Sequence, residues 1–247
     1  MTSRARVLRC ARLILCAMAA SLAPESSRAG EGSEIFTSFV VDQLEHRWQE
    51  GANLARWDVE GWLGGDTNRL WVRSEGESRS SGARGGDVEL QLFYGRHVAP
   101  FWDLLVGVRE DIVHGAGRNR ERTLAVLSAE GLAPYRIELE PSLFVSDDGD
   151  VSARVTATTD WFLTQRLIVQ PRFEINAAAS DAASFGVRSG LNDVELGLRF
   201  RYEIRRELAP YLGMSWVRRV GDTADLARAR GEQASDVAIV VGVRLWL

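Results

Sequence analysis

Hydrophobic and polar residues alternate along most of this chain. In "DVELQLFYGRHVAPFWDLLVGVRED" (87–111), Val88, Leu90, Leu92 and Tyr94 share one face and Asp87, Glu89 and Gln91 the other. Past a tight turn, Trp102, Leu104, Val106 and Val108 oppose Asp103, Gly107, Arg109 and Asp111. Period-two alternation marks strands whose faces meet different environments. Twelve such segments are predicted, at 36–48, 55–64, 68–77, 86–96, 101–111, 122–132, 134–145, 151–162, 167–177, 191–203, 209–219 and 235–247. Strands of soluble domains run to about five or six residues, whereas a tilted membrane-crossing strand needs about nine to eleven. Short connections such as "GDTN" (65–68), "HVAP" (97–100) and "LTQR" (163–166) alternate with long ones such as "ESRSSGARGG" (77–86) and "VGDTADLARARGEQAS" (220–235). Short periplasmic turns and longer outer loops produce that rhythm. The expectation is an all-β fold: a closed antiparallel transmembrane β-barrel of about 12 strands.

Local chemistry refines the barrel. Ala99-Pro100-Phe101, Ala133-Pro134-Tyr135 and Ala209-Pro210-Tyr211 each open a strand, where proline need not donate to a ladder. Tyr94, Trp102, Tyr135, Trp161 and Tyr202 gather at the short-turn end as an interfacial girdle, with Tyr211 near their level. "SDDGD" (146–150) reads as a hairpin turn at Asp148-Gly149, too short for a calcium loop. Pro141 and Pro171 fall mid-strand and predict bulges.

The other parity is charged on nearly every strand. One lipid-facing Arg at mid-depth costs about 2–4 kcal/mol, so these residues must line the inside. Arg forks and carboxylates there predict a lumenal ion-pair ladder of Arg73, Arg109, Arg136, Glu138, Arg172, Glu174 and Arg199.

The first 29 residues differ from the rest. Four arginines (Arg4, Arg6, Arg9 and Arg12), an apolar run from Leu13 to Ala23 and the small-residue site Ser27-Arg28-Ala29 read as a secretory signal, too short to span a bilayer. Residues 30–35 form a linker and 36–247 the barrel domain. Both cysteines, Cys10 and Cys16, lie in the signal, so the mature chain has no disulfide, thiolate site or cysteine nucleophile. Removing five Arg and one Glu takes the formal charge from −4 to about −8, which argues against nucleic-acid binding.

Few side chains suit catalysis or soft-metal binding. His97 reads as a solvated turn residue and His114 as a loop residue. His46 on the first strand and Met214 on the eleventh would approach each other near the seam of the closed barrel; imidazole and thioether suit copper. Packing explains both residues as well. Ser142 or Ser215 paired with a histidine would make a barrel-embedded hydrolase, but no Ser/His/Asn spacing supports it.

Several stretches together resemble the outer-membrane copper resistance protein B family: "DVEGWLGGDTNRLWVRSEGE" (58–77), "LQLFYGRHVAPFWDLLVGVR" (90–109), "GLAPYRIELEPSLFVSDDG" (131–149), "TQRLIVQPRFE" (164–174), "SGLNDVELGLRFRYEIRRELAPYLGMSW" (189–216) and "GDTADLARARGE" (221–232). The resemblance runs from about residue 36 onward. It implies a non-enzymatic outer-membrane protein that binds or handles copper, a monomer in outer-membrane lipid with a periplasmic copper-resistance protein as partner. Members often carry a Met- and His-rich segment before the barrel, whereas "GEGSEI" (30–35) holds neither residue, so the resemblance implies low copper stoichiometry. Metal ligands are then expected from Met214 and His46, with Glu60, Glu89 and Glu195 as weaker oxygen donors. The alternative is a copper-independent structural or narrow permeation barrel.

Overall fold

The structure, a computed structural model, describes residues 34–51, 53–80, 85–115 and 119–247; the expected signal lies outside them. The strands are β1 (Phe36–Gln49), β2 (Leu54–Gly64), β3 (Asn68–Arg79), β4 (Gly85–Ala99), β5 (Trp102–Gly115), β6 (Arg120–Ala133), β7 (Ile137–Ser146), β8 (Val151–Thr159), β9 (Trp161–Phe162), β10 (Leu167–Ala178), β11 (Gly190–Tyr202), β12 (Leu208–Arg219) and β13 (Ser235–Trp246). All pairs are antiparallel neighbours. β1 pairs with β13 and β10 with β11, so the sheet closes on itself. β9 continues β8 past a break at Asp160, in the same register on β10, leaving twelve wall positions. Closure pairs the backbone groups that lipid cannot satisfy.

The two faces sort as the alternation predicts. Leu92, Val106, Leu127, Leu143, Leu196, Leu212 and Ile239 stand exposed on the outside. Gln43, Arg73, Gln91, Arg109, Glu174, Glu195 and Arg199 are buried on the inside. Tyr94, Trp161, Tyr202 and Tyr135, the last 93% exposed, mark the short-turn end of the outer surface. Tyr211 instead turns inward and is buried.

Four expectations need correction. Pro141 and Pro171 cause no bulge: each strand keeps one register through its proline. The missing donor is absorbed by a skipped stretch of ladder, between Ser128 and Gly131 on the β6 side of Pro141 and at the β8/β9 break beside Pro171. The segment expected to open at Pro134 begins at Ile137, because Pro134–Arg136 form a 3₁₀ turn with Tyr135 and Arg136 at positive φ. Arg136 therefore sits in an exposed turn, not on the wall. Finally, the long connection before β13 contains a helix, α1 (Gly221–Ala229), whose buried face is Thr223, Ala224 and Ala227. Small residues carry too weak an apolar signal to reveal it by periodicity.

The one irregularity that reassigns faces lies in β1. Registers to both neighbours shift across Val41–Leu44, which makes Asp42 an extra residue. Beyond it Gln43, Glu45 and Arg47 point inward, and Leu44, His46 and Trp48 outward.

Along its middle the closing strand β13 presents little bulk to the lumen: Ala238 and Val240 are buried there, and Gly242 faces Tyr211. A Cβ at Gly242 would lie 2.5 Å from the Tyr211 hydroxyl. That gap lets the phenol cross β13 and donate to Glu45 Oε2 of β1 at 2.9 Å. Gly242→Val is expected to displace Tyr211 and cost about 1–3 kcal/mol, as overpacked sites do. A urea-unfolding midpoint equal to the parent's would show that Tyr211 does not depend on this gap.

Candidate functional site: the charged lumen

Antiparallel register places inward side chains in rows around the wall. One row is apolar, running through Trp62, Trp71, Phe93, Gly107, Val126 and Phe144 on β2 to β7. Together with Leu105 and Leu124 it forms a hydrophobic cluster inside the barrel. Another row is acidic: Asp58, Glu75, Glu89 and Asp111 stand directly opposite one another on β2 to β5. Like charges in such positions repel, so the row needs cations from elsewhere.

Arginines supply them by reaching over the lumen. Arg154 of β8 donates to both oxygens of Glu89 at 2.9 and 3.1 Å, and lies 3.5 Å from Glu75. Arg109 bridges Glu89 and Asp111 at 2.6 and 2.5 Å, and Arg122 takes the other oxygen of Asp111 at 2.8 Å. Asp58 has no arginine within ion-pair reach among the described residues. Nearer the short turns, Arg73 of β3 contacts Glu60 of β2, Glu130 of β6 and, at 3.2 Å, Glu140 of β7. The guanidiniums also lie over the apolar row, Arg109 at 4.7 Å from the Phe144 ring and Arg73 at 5.5 Å from Phe93.

A second network spans the seam. Glu45 accepts from Arg47 at 2.7 Å, from Arg199 at 3.1 Å and from Tyr211. Glu195 accepts from Arg47 at 2.9 Å, Arg56 at 3.1 Å and Ser215 at 2.9 Å. Arg199, only 2% exposed, also donates to Gln43 at 3.0 Å. Sequence reasoning missed Glu45, Arg47 and Gln43 because the Asp42 bulge inverts their parity. Glu130 was legible as the even position following Leu124, Val126 and Ser128 on β6.

Space remains above these bridges. A cavity of about 740 Å³ opens at the long-loop end, and a second of about 270 Å³ lies below it. Both are lined by Glu77, Asp87, Glu89 and Arg154, where they meet. The loop between β10 and β11 folds over the upper cavity: Arg230 donates to Ala183 O at 2.5 Å, Arg120 to Ser184 O, and Arg122 stacks 4.2 Å from the Phe185 ring. In that loop Asp181 accepts the Ser189 N–H at 2.8 Å and pairs with Arg188 at 2.9 Å, which holds its carboxyl below the ordinary value.

The sequence of the wall and its lumen matches a known family. The profile described as "Copper resistance protein B precursor (CopB)" matches residues 35–247. The chain belongs to the copper resistance protein B family. It is 44% identical over 207 residues to copper resistance protein B of Escherichia coli, covering 84% of this chain and 68% of that one. It is 42% identical over 217 residues to a copper resistance protein B homolog of Pseudomonas syringae pv. tomato, covering 87% and 71%. Among solved structures the NanC porin superposes with a TM-score of 0.54 at 12% identity, over 85% of this chain and all of that one. The KdgM porin gives 0.50 at 11% identity, over 84% and 98%. These two likenesses establish the outer-membrane barrel fold alone.

Within this CopB-family barrel the residues expected to hold copper are not brought together. Met214 is 54% exposed on the outer face of β12. His46 shares the outer face of β1, edge-on to Trp48 at 4.6 Å. β13 separates their strands, so the sidewise gap is about 10 Å, two strand spacings. Glu60, Glu89 and Glu195 face inward, each in a different arginine cluster. Among the described residues no group of three or more His, Cys, Asp or Glu converges to hold a metal. Of the expected ladder, Arg73, Arg109 and Arg199 pair as described and Arg172 pairs with Glu174 at 3.0 Å; Glu138 lies exposed near the short turns. Ser142 hydrogen-bonds Ser128 at 2.7 Å and Ser215 donates to Glu195.

Arg73 is the cross-lumen bridge with the largest imbalance, one cation among three carboxylates. Arg73→Ala is expected to cost about 1–3 kcal/mol, less than for a fully buried pair because Glu60, Glu130 and Glu140 stay 27–37% exposed. The double variant Arg73→Ala/Glu140→Gln should recover part of it in the same urea titration. Full stability of the single variant would show that the three carboxylates do not depend on Arg73.

Proposed function

We propose that this protein contributes to copper resistance by handling copper ions inside its barrel at the outer membrane, few at a time, rather than by storing them. The family supports the copper role. The observation that carries the rest is the acidic row Asp58, Glu75, Glu89 and Asp111: Glu75, Glu89 and Asp111 line two adjoining cavities, and Asp58 has no arginine within ion-pair reach among the described residues. A lumen wall with more carboxylates than paired arginines draws cations and excludes anions. The outward aliphatic surface suits a monomer in outer-membrane lipid. A periplasmic copper-resistance protein is the partner this reading assigns to the short-turn end.

A copper-independent permeation or structural barrel is the second reading. The bridges Arg154 to Glu89 and Arg73 to Glu140, which cross the lumen and narrow it, favour it.

Two measurements separate the readings. In planar bilayers under a salt gradient, the reversal potential is expected to show cation selectivity, reduced in Asp58→Asn/Glu75→Gln. In cells lacking their own barrel of this family, the parent is expected to raise copper tolerance and the double variant to raise it less. Selectivity without any copper phenotype would leave the permeation reading; anion selectivity would contradict the proposal.

A further inference from the structure

His97 is set differently from the other two histidines. It ends the inward parity of β4, opposite Asp103 of β5, just before the register shift that closes the short turn. Its Nδ1 lies 2.9 Å from Asp103 Oδ1. A carboxylate only accepts, so in the neutral ring Nδ1 carries the proton and Nε2 the lone pair. Asp103 is itself held, its other oxygen taking Arg69 Nη1 at 2.9 Å. Arg69 in turn lies 4.5 Å over the Trp62 ring. Each group along Trp62, Arg69, Asp103 and His97 thus orients the next. The imidazole stays 44% exposed at the short-turn mouth, so Nε2 can be reached from solution. Glu130 stands opposite Asp103 on β6 and adds a second carboxylate to that mouth.

An imidazole whose far nitrogen is hydrogen-bonded to a fixed carboxylate is prepared for metal ligation. We infer that His97 Nε2 is a landing ligand for divalent copper at the short-turn mouth, with Asp103 as its orienting partner and Arg69 as the anchor of Asp103. The inference rests on the proposed copper role and deepens it by naming a point of contact. Imidazole suits Cu(II), and among borderline divalent ions copper binds more tightly than zinc. Cu(I) would want a thioether, and Met214 stands on the outer face of β12. Water completes the coordination, which makes the site one of exchange rather than storage.

The test is electron paramagnetic resonance of the folded full chain in detergent, without a polyhistidine tag, given one equivalent of Cu(II). The expected spectrum is axial with superhyperfine splitting from one nitrogen. It should disappear in His97→Gln and persist in His46→Gln/His114→Gln. In Asp103→Asn the splitting should persist while Cu(II) affinity falls about tenfold or more, the usual effect of losing an outer partner. Heat-modifiable mobility on gels checks that each variant folds. A nitrogen signal that survives His97→Gln, or affinity unchanged in Asp103→Asn, overturns the assignment. No nitrogen signal in a parent that still confers copper tolerance would remove the site and leave the functional reading standing. A site lost in His97→Gln, in a parent that confers no tolerance, would do the reverse.

Discussion

Charge held inside a closed wall is the constraint on which this structure depends. Lipid forbids charges on the outside, so the alternation of each strand sends them into the lumen. There, removal from bulk water makes every unpaired ion costly. The barrel answers with arginines long enough to reach other strands: Arg154 joins β8 to β4, Arg73 joins β3 to β6 and β7, and Arg199 passes β13 to meet Glu45 on β1. The guanidinium fork suits this because it serves two or three carboxylates at once and packs on aromatic faces. Small residues on β13 are a consequence: the seam stays thin so that β11 and β12 can reach β1.

The proposed function follows from where compensation is incomplete. The apolar row through Trp71, Phe93 and Phe144 fills part of the lumen and leaves ions to the rest. The acidic row through Asp58, Glu75 and Glu89 is only partly matched by arginine, and its Glu89 lines both cavities. Membership of a copper resistance family and the cation preference proposed for this acidic lumen point the same way without a cage of soft ligands.

Much of the fold was legible in the sequence because one physical signal, period-two alternation, repeats twelve times. Strand positions, short-turn ends and the direction of Arg73, Arg109, Glu89 and Glu195 all follow from it. What escaped were features that alternation does not encode. The bulge at Asp42 reverses parity within β1, hiding Glu45 and Arg47 and turning His46 outward. Register decides which strands touch, and β13 between β1 and β12 keeps His46 from Met214. The buried face of α1 is too small to register as apolar. His97 looked like a turn residue because its distinction is a hydrogen bond to Asp103, which residue identity alone does not convey.

The central claim, that the lumen itself takes copper, is tested most directly with liposomes holding a copper-quenched fluorescent chelator. Cu(II) added outside should quench the dye faster with the folded protein present than in empty liposomes, and more slowly with Asp58→Asn/Glu75→Gln. Quenching at the protein-free rate would contradict the claim, leaving the charged lumen as a structural device alone.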